Sequence, residues 1–175
     1  GGMNGYGGKV TSIFSKYFIL ETVDRVRQKK FVQKWTDNMS NVGPAKVTSF
    51  SNKPYTKITF LPDYKRFGCD NITPDLRSLL VRRVYDLAGI TGASVFLNGK
   101  KLAVKHFQHY TEMYLEKSIK RTYECVYDKK DSSTVAWEIV ACPSPDGVFR
   151  HVSYVNFVST FQGGHHVDWI SAKIS

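Results

Sequence analysis

The opening stretch, GGMNGYGGKV from Gly1 to Val10, has glycine at five of its first eight positions. Glycine is entropically costly to order, so a cluster this dense must supply something a side chain would obstruct. One such thing is a phosphate cradle. Backbone N–H groups turn inward where no Cβ stands in the way, and the start of a following helix adds positive potential. Lys9 would place a point charge on a phosphate oxygen, while Asn4 and Tyr6 would fix the loop or donate hydrogen bonds. The P-loop pattern is not met, because Gly8-Lys9 is followed by Val10 rather than by a hydroxyl residue for magnesium. The dinucleotide fingerprint fits only loosely, with no strand before it. On these residues alone, a turn or a cloning remnant stands level with phosphate binding.

A second cluster, QGGHHVD, joins His165, His166 and Asp168. Neighbouring residues lie about 100° apart on a helix and on opposite faces of a strand, so the two histidines do not share one metal. A Gly-Gly turn with a capping or packing histidine is the plainer reading. No GxSxG elbow supports a Ser-His-Asp triad. The basic doublets Lys29-Lys30, Arg82-Arg83, Lys100-Lys101 and Lys129-Lys130 read as solvated faces first and phosphate contacts second.

A formal charge of +10 and a pI near 9.5 make a polyanion a plausible partner. The 175 residues suit one domain or pieces of two, with enough apolar and aromatic content for a core. Cys69, Cys125 and Cys142 are odd in number and scattered, which argues against a disulfide framework or zinc site and suits an intracellular, reducing compartment. No stretch has the length of a membrane span or the form of a signal peptide. Met3 lies inside the glycine cluster, from which the chain is expected to begin in mid-domain.

The elements that must hold these clusters read as α+β, a mixed sheet packed with helices. A helix is predicted over about Gly7 to Lys16, then strands in YFILETVDRVRQ, KKFVQKWTDN, AKVTSF and YTKITFLP, the last two split by a turn at Ser51–Pro54. NITPDLRSLLVRRVYDLAG is the clearest helix. Thr73 is its N-cap, Pro74 its first residue and Gly89 its stop, with Leu76, Leu79, Leu80, Val84 and Leu87 as its apolar stripe. SVFLNGKKLAV reads as a hairpin on Asn98-Gly99, and HFQHYTEMYLEKSI as a helix. Three strands follow, TYECVYDK, TVAWEIVAC and VFRHVSYVNFVST, with loops at Lys129–Ser133 and Pro143–Gly147. A helix opened by Gly163-Gly164 ends the chain.

GGMNGYGGKVTSIFS, KWTDNM, YTKITFLPD, LVRRVYDLAG, FLNGKKL and YVNFVSTFQGGHHVDWI occur in this order. Together they resemble the ATPase region of eukaryotic-type DNA topoisomerase II, from Gly1 to about Ile174. The glycine loop alone is shared by the wider Bergerat-fold, or GHKL, ATPases, among them gyrase and MutL. The Val155-Asn156 to Asp168 segment is particular to type II topoisomerases.

The resemblance implies a partial Bergerat-fold ATPase domain over 1–104, then the start of a ribosomal-protein-S5-like transducer domain over 105–175. It implies that Gly2, Asn4, Gly5, Tyr6, Gly7, Gly8 and Lys9 form the ATP-phosphate loop. Met3 and His165 replace the usual arginines, and Gly8 the usual alanine. The general-base glutamate, the magnesium-binding asparagine and the adenine-reading aspartate would lie upstream, and the lysine that reaches the γ-phosphate downstream. The expectation is therefore no catalytic or metal-binding residue in this stretch and no hydrolysis by it alone. The intact protein is expected to be an ATP- and Mg2+-dependent isomerase, a homodimer that passes one double-stranded DNA through another, with no membrane attachment, and nuclear in a eukaryote. The rivals are a MutL-like repair ATPase, a non-catalytic basic nucleic-acid-binding module and, more weakly, a kinase-like nucleotide binder.

Overall fold

The alternation read between residues 17 and 36 builds a hairpin. In the computed structural model, which describes residues 4–127 and 135–174, β1 (Ser15–Asp24) and β2 (Lys29–Thr36) pair antiparallel from Tyr17↔Thr36 to Asp24↔Lys29. Asp24 closes the connection. Its Oδ1 accepts from the N–H groups of Val26 and Arg27 at 2.8 and 3.1 Å, and its Oδ2 from the Arg27 guanidinium at 2.7 Å. β5 (Thr56–Pro62) lies along the other edge of β1. The outer edge of β2 is shared by β4 (Lys46–Ser49) and by β3 (Asn41–Val42), a short strand the sequence did not announce.

Directly paired residues share a face of the sheet, and alternate residues change face. Phe18 therefore looks out beside Trp35 and Phe60, with ring centroids 6.1 and 6.5 Å away. Leu20, Phe31 and Ile58 continue this apolar face. Ile58 and Phe60 stay 52% and 46% exposed.

The first helix, α1 (Tyr6–Ile13), packs on β1 and β5 and ends three residues earlier than the periodicity predicts. Phe14 caps it, and the strand begins at Ser15, whose hydroxyl donates back to the Thr11 carbonyl at 2.6 Å. A 3-10 turn, Tyr64–Phe67, brings the Phe67 ring to 5.5 Å from that of Phe14. These elements form one compact unit, residues 2–73, and residues 74–175 form another.

In the second unit α2 (Pro74–Thr91) starts where the sequence places it but does not stop at Gly89. Gly89 lies inside the helix because Tyr110 packs there: an added Cβ would fall 2.5 Å from the Cβ and Cγ of Tyr110. The chain leaves the helix at Gly92, whose φ is +64°. Gly89→Ala gains about 1 kcal/mol of helix propensity but forces a clash with backbone-proximal atoms that costs about 1–3 kcal/mol or more. Urea unfolding is expected to show net destabilisation.

The predicted leucine stripe is the other correction. Leu79 and Leu80 are 54% and 52% exposed, and the helix instead buries Asp86, Ala88 and Gly89. Its contacts within this unit are with α3 (Phe107–Thr111) and β6 (Phe96–Leu97), and they govern which side is covered.

β6 and β7 (Lys100–Lys101) form the expected hairpin, with Asn98 and Gly99 at φ +50° and +79°. α3 is far shorter than predicted. After Thr111 the backbone bonds tighten to i→i−3, from Met113 to Tyr110 and from Tyr114 to Thr111. The carbonyls of Lys117 and Ile119 accept from the Arg121 guanidinium rather than from a helical ladder, and that of Glu116 is shared between the guanidinium and the Ile119 N–H.

β8 (Thr122–Tyr127) and β9 (Val135–Ala141) pair antiparallel. The third predicted strand is instead a small hairpin of β10 (Tyr154–Val155) and β11 (Val158–Ser159), because Asn156 and Phe157 adopt φ +49° and +66° and reverse the chain. α4 (His165–Ile174) follows the glycine pair as expected. Gly2, Met3 and the loop at 129–133 lie outside the described residues.

Candidate functional site

The glycine loop delivers its backbone donors at the start of α1. Gly5 is the N-cap in the left-handed region, φ +66° and ψ +15°, which suits glycine over any residue with a Cβ. No side chain caps the helix and no acidic residue stands in its first turn. The N–H groups of Tyr6, Gly7 and Gly8 thus meet no intrahelical acceptor, and Lys9 N–H reaches the Gly5 carbonyl at 3.4 Å. A Cβ built on Gly5, Gly7 or Gly8 would meet nothing within 4 Å, so among the described residues nothing fills the space beside this backbone. Asn4, Tyr6 and Lys9 are exposed around it, Tyr6 by 68%.

Donors without intrahelical acceptors, open space beside glycine backbone and a nearby ammonium group fit a polyphosphate. Gly2 falls outside the described residues. The other six expected site residues are contiguous at this helix entrance. Among the described residues, no group of three or more His, Cys, Asp or Glu could hold a metal ion.

The histidine cluster does a different job. His166 Nε2 lies 3.1 Å from the Thr160 hydroxyl, Thr160 Oγ1 lies 2.6 Å from Ser153 Oγ, and Ser153 Oγ lies 3.4 Å from His151 Nδ1. This relay fastens the β10–β11 hairpin to the start of α4. Asp168 joins neither histidine; its N–H donates to the Gly164 carbonyl in the first turn of the helix. Among the described residues no Ser-His-Asp geometry is assembled, and the packing-histidine reading describes His166.

Sequence reasoning missed a buried cluster on α2. Asp86, 1% exposed, accepts from the Tyr110 hydroxyl at 2.6 Å and from the Arg83 guanidinium at 2.9 Å. The Tyr110 hydroxyl also lies 2.6 Å from those of Tyr114 and Tyr154. The Arg83–Asp86 spacing of three residues on a helix was the available signal. Beside this cluster a cavity of about 480 Å³ is lined by Arg77, Arg82, Tyr85, Met113 and Tyr114, among others.

Burial, with the Asp86 carboxylate nearby, raises the Tyr154 phenol to about 12, and burial raises Tyr110 as well. The ordinary phenol value is about 10, so the unfolded chain loses these protons first as pH rises. The contribution to stability is complete below pH 10 and is lost as pH climbs to about 12. Unfolding midpoints measured from pH 9 to 12 are expected to fall, and to fall less steeply in Tyr154→Phe.

No family model matches the chain. Rat DNA topoisomerase 2-alpha is 41% identical over 175 residues, 99% of this chain. The crystal structure of the ATPase region of Saccharomyces cerevisiae topoisomerase II superposes with a TM-score of 0.87 at 43% identity, again over 99% of the chain. The chain is homologous to the ATPase region of eukaryotic DNA topoisomerase II. The ATPase and transducer structure of topoisomerase II from Balamuthia mandrillaris agrees, with a TM-score of 0.86 at 38% identity. The gyrase B ATPase domain of Thermus thermophilus matches 71% of the chain with a TM-score of 0.51 at 18% identity, a likeness of fold alone. The chain spans 11% of the rat topoisomerase, 45% of the yeast ATPase-region chain and 43% of the Balamuthia chain.

Proposed function

We propose that the intact protein is an ATP-hydrolysing type II DNA topoisomerase, an isomerase that carries one DNA duplex through a transient double-strand break in another. The observation that carries this reading is whole-chain similarity, in sequence and in fold, to the topoisomerase II ATPase region. Residues 1–104 belong to the later part of the ATPase domain and residues 105–175 to the start of the transducer. Gly2, Asn4, Gly5, Tyr6, Gly7, Gly8 and Lys9 form the phosphate loop. The uncapped N–H groups at the start of α1 support this, as does the free space beside Gly5, Gly7 and Gly8.

In this role the main-chain amides of α1 bind the phosphates and the helix start orients them, while Lys9 neutralises charge. When bound, ATP supplies the phosphoanhydride whose cleavage distinguishes closed from open states. Its Mg2+ would be held by residues elsewhere in the intact protein. Ordering of the loop biases a two-state element, the pairing of two ATPase domains in a homodimer around a captured duplex. The site of action is intracellular, the nucleus in a eukaryotic cell. Among the described residues no helix is long and apolar enough to cross a membrane.

Incubating the intact protein with interlinked DNA circles tests this. Separation of the circles that requires ATP is the expected result. Binding of DNA with no unlinking under any nucleotide condition contradicts it and favours a basic binding module.

A further inference from the structure

We infer that the lysine-bearing face of the five-stranded sheet seats the phosphate backbone of duplex DNA, an assignment that rests on the topoisomerase reading for the identity of the polyanion. The strand register is the basis. The face opposite Phe18 carries Lys30 and Lys34 from β2, Lys46 from β4 and Lys57 from β5. The strands place one carboxylate among them, Glu21. It already accepts a hydrogen bond from the Tyr55 hydroxyl and lies 3.9 Å from the Lys30 ammonium. Among the described residues, Lys34, Lys46 and Lys57 are exposed and form no ion pair. Two of the lysine stems are held in place. The Lys34 ammonium lies 5.5 Å from the Tyr17 ring centroid and the Lys30 ammonium 5.6 Å from that of Phe50.

The spacing and chemistry favour a duplex over an acidic peptide. Lys30 and Lys34 stand four residues apart on one strand, about 13 Å, and Lys46 and Lys57 are separated by three strand spacings, about 14 Å. A major groove about 12 Å wide sets phosphates on its two rims at comparable separations. Between the lysines lie Ile19, Val32 and Thr59, which offer no bidentate reader of base edges. Ammonium point charges on an open sheet grip backbone without reading sequence. Sequence-independent contact is what an enzyme that transports any duplex requires.

The test is lysine acetylation footprinting of the intact protein, read residue by residue by mass spectrometry, with and without a short blunt duplex or polyglutamate. Lys34, Lys46 and Lys57 are expected to lose most of their labelling with the duplex and to regain it at high salt. Lys29, on the opposite face of β2, should label equally throughout. In parallel, the triple variant K34E/K46E/K57E is expected to lower the slope of log affinity against log salt by about 2.7, from roughly 0.9 per lost phosphate contact. The three side chains are exposed, so the variant's melting temperature should match wild type. Unchanged labelling and slope, while the wild-type protein binds the duplex in the same samples, overturns the assignment and leaves the topoisomerase reading standing. Protection by polyglutamate but not by the duplex also overturns it, in favour of an acidic protein. Failure of the wild-type protein to bind any duplex overturns the parent reading together with this one.

Discussion

Replacing Lys9 with alanine in the intact protein abolishes ATP-dependent strand passage and leaves DNA binding largely in place. Lys9 stands in the first turns of α1, exposed, with no ion pair among the described residues. The helix does not depend on its side chain, and alanine is the better helix former there, so lost activity would not reflect unfolding. What disappears is a cation beside the seat of the phosphates. Removing one fixed electrostatic contact to a charged reacting group costs on the order of 10²–10³ in rate. DNA relaxation assays at saturating ATP measure the effect, with electrophoretic retardation of a labelled duplex as the binding control. Wild-type relaxation by the variant would remove the phosphate-loop assignment.

The second large effect is on stability. Tyr110, 2% exposed, has one hydroxyl serving three partners: Asp86, Tyr114 and Tyr154, each at 2.6 Å. A phenol has one proton to give and two lone pairs to offer. Its proton goes to the carboxylate, so the other two tyrosines donate to it, and the hub is fully satisfied. Tyr110→Phe leaves a buried carboxylate oxygen without its donor and two hydroxyls without their acceptor. Tyr114 is 47% exposed and water can replace its acceptor; for Asp86 and Tyr154, at about 1–3 kcal/mol each, the expected loss is about 2–6 kcal/mol. A urea midpoint shift with unchanged slope reads it. The loss should shrink when Asp86 is already replaced by leucine, because contacting residues couple. A loss below about 0.5 kcal/mol would place the hub among surface substitutions in energetic weight and contradict the account of it as the tie between α2, α3 and β10.

Local patterns made much of this architecture legible, and the failures share one cause. The two strands that become β1 and β2, the Asn98-Gly99 turn, the Pro74 start of α2 and the glycine-led α4 each follow from chemistry within a few residues, and each is present, with β1 ending at Asp24 rather than running on to Gln28. Gly89 was misread because its reason is non-local: it accommodates a ring from twenty-one positions away. The leucine stripe of α2 was legible as a stripe, but what covers a stripe is a tertiary fact, and within residues 74–175 the helix buries Asp86 instead. α3 and the third late strand were overdrawn because periodicity does not register a guanidinium that consumes carbonyls, or two residues that turn left-handed. The loop itself was visible from composition. That its glycines leave open space rather than accommodate neighbouring side chains was not, since this depends on what lies around the backbone. The tyrosine hub draws on α2, α3 and β10, elements far apart in sequence, and left only the Arg83–Asp86 spacing as a trace.

The central claim is that main-chain amides at the entrance of α1 grip a nucleotide's phosphates. Hydrogen exchange of the intact protein, with and without a non-hydrolysable ATP analogue, tests it at the atoms concerned. Without nucleotide, the amides of Tyr6, Gly7 and Gly8 have no acceptor among the described residues and should exchange rapidly. With it, these amides and that of Lys9 are predicted to slow together. Saturable binding of the analogue with exchange across residues 5–9 unchanged would contradict the claim.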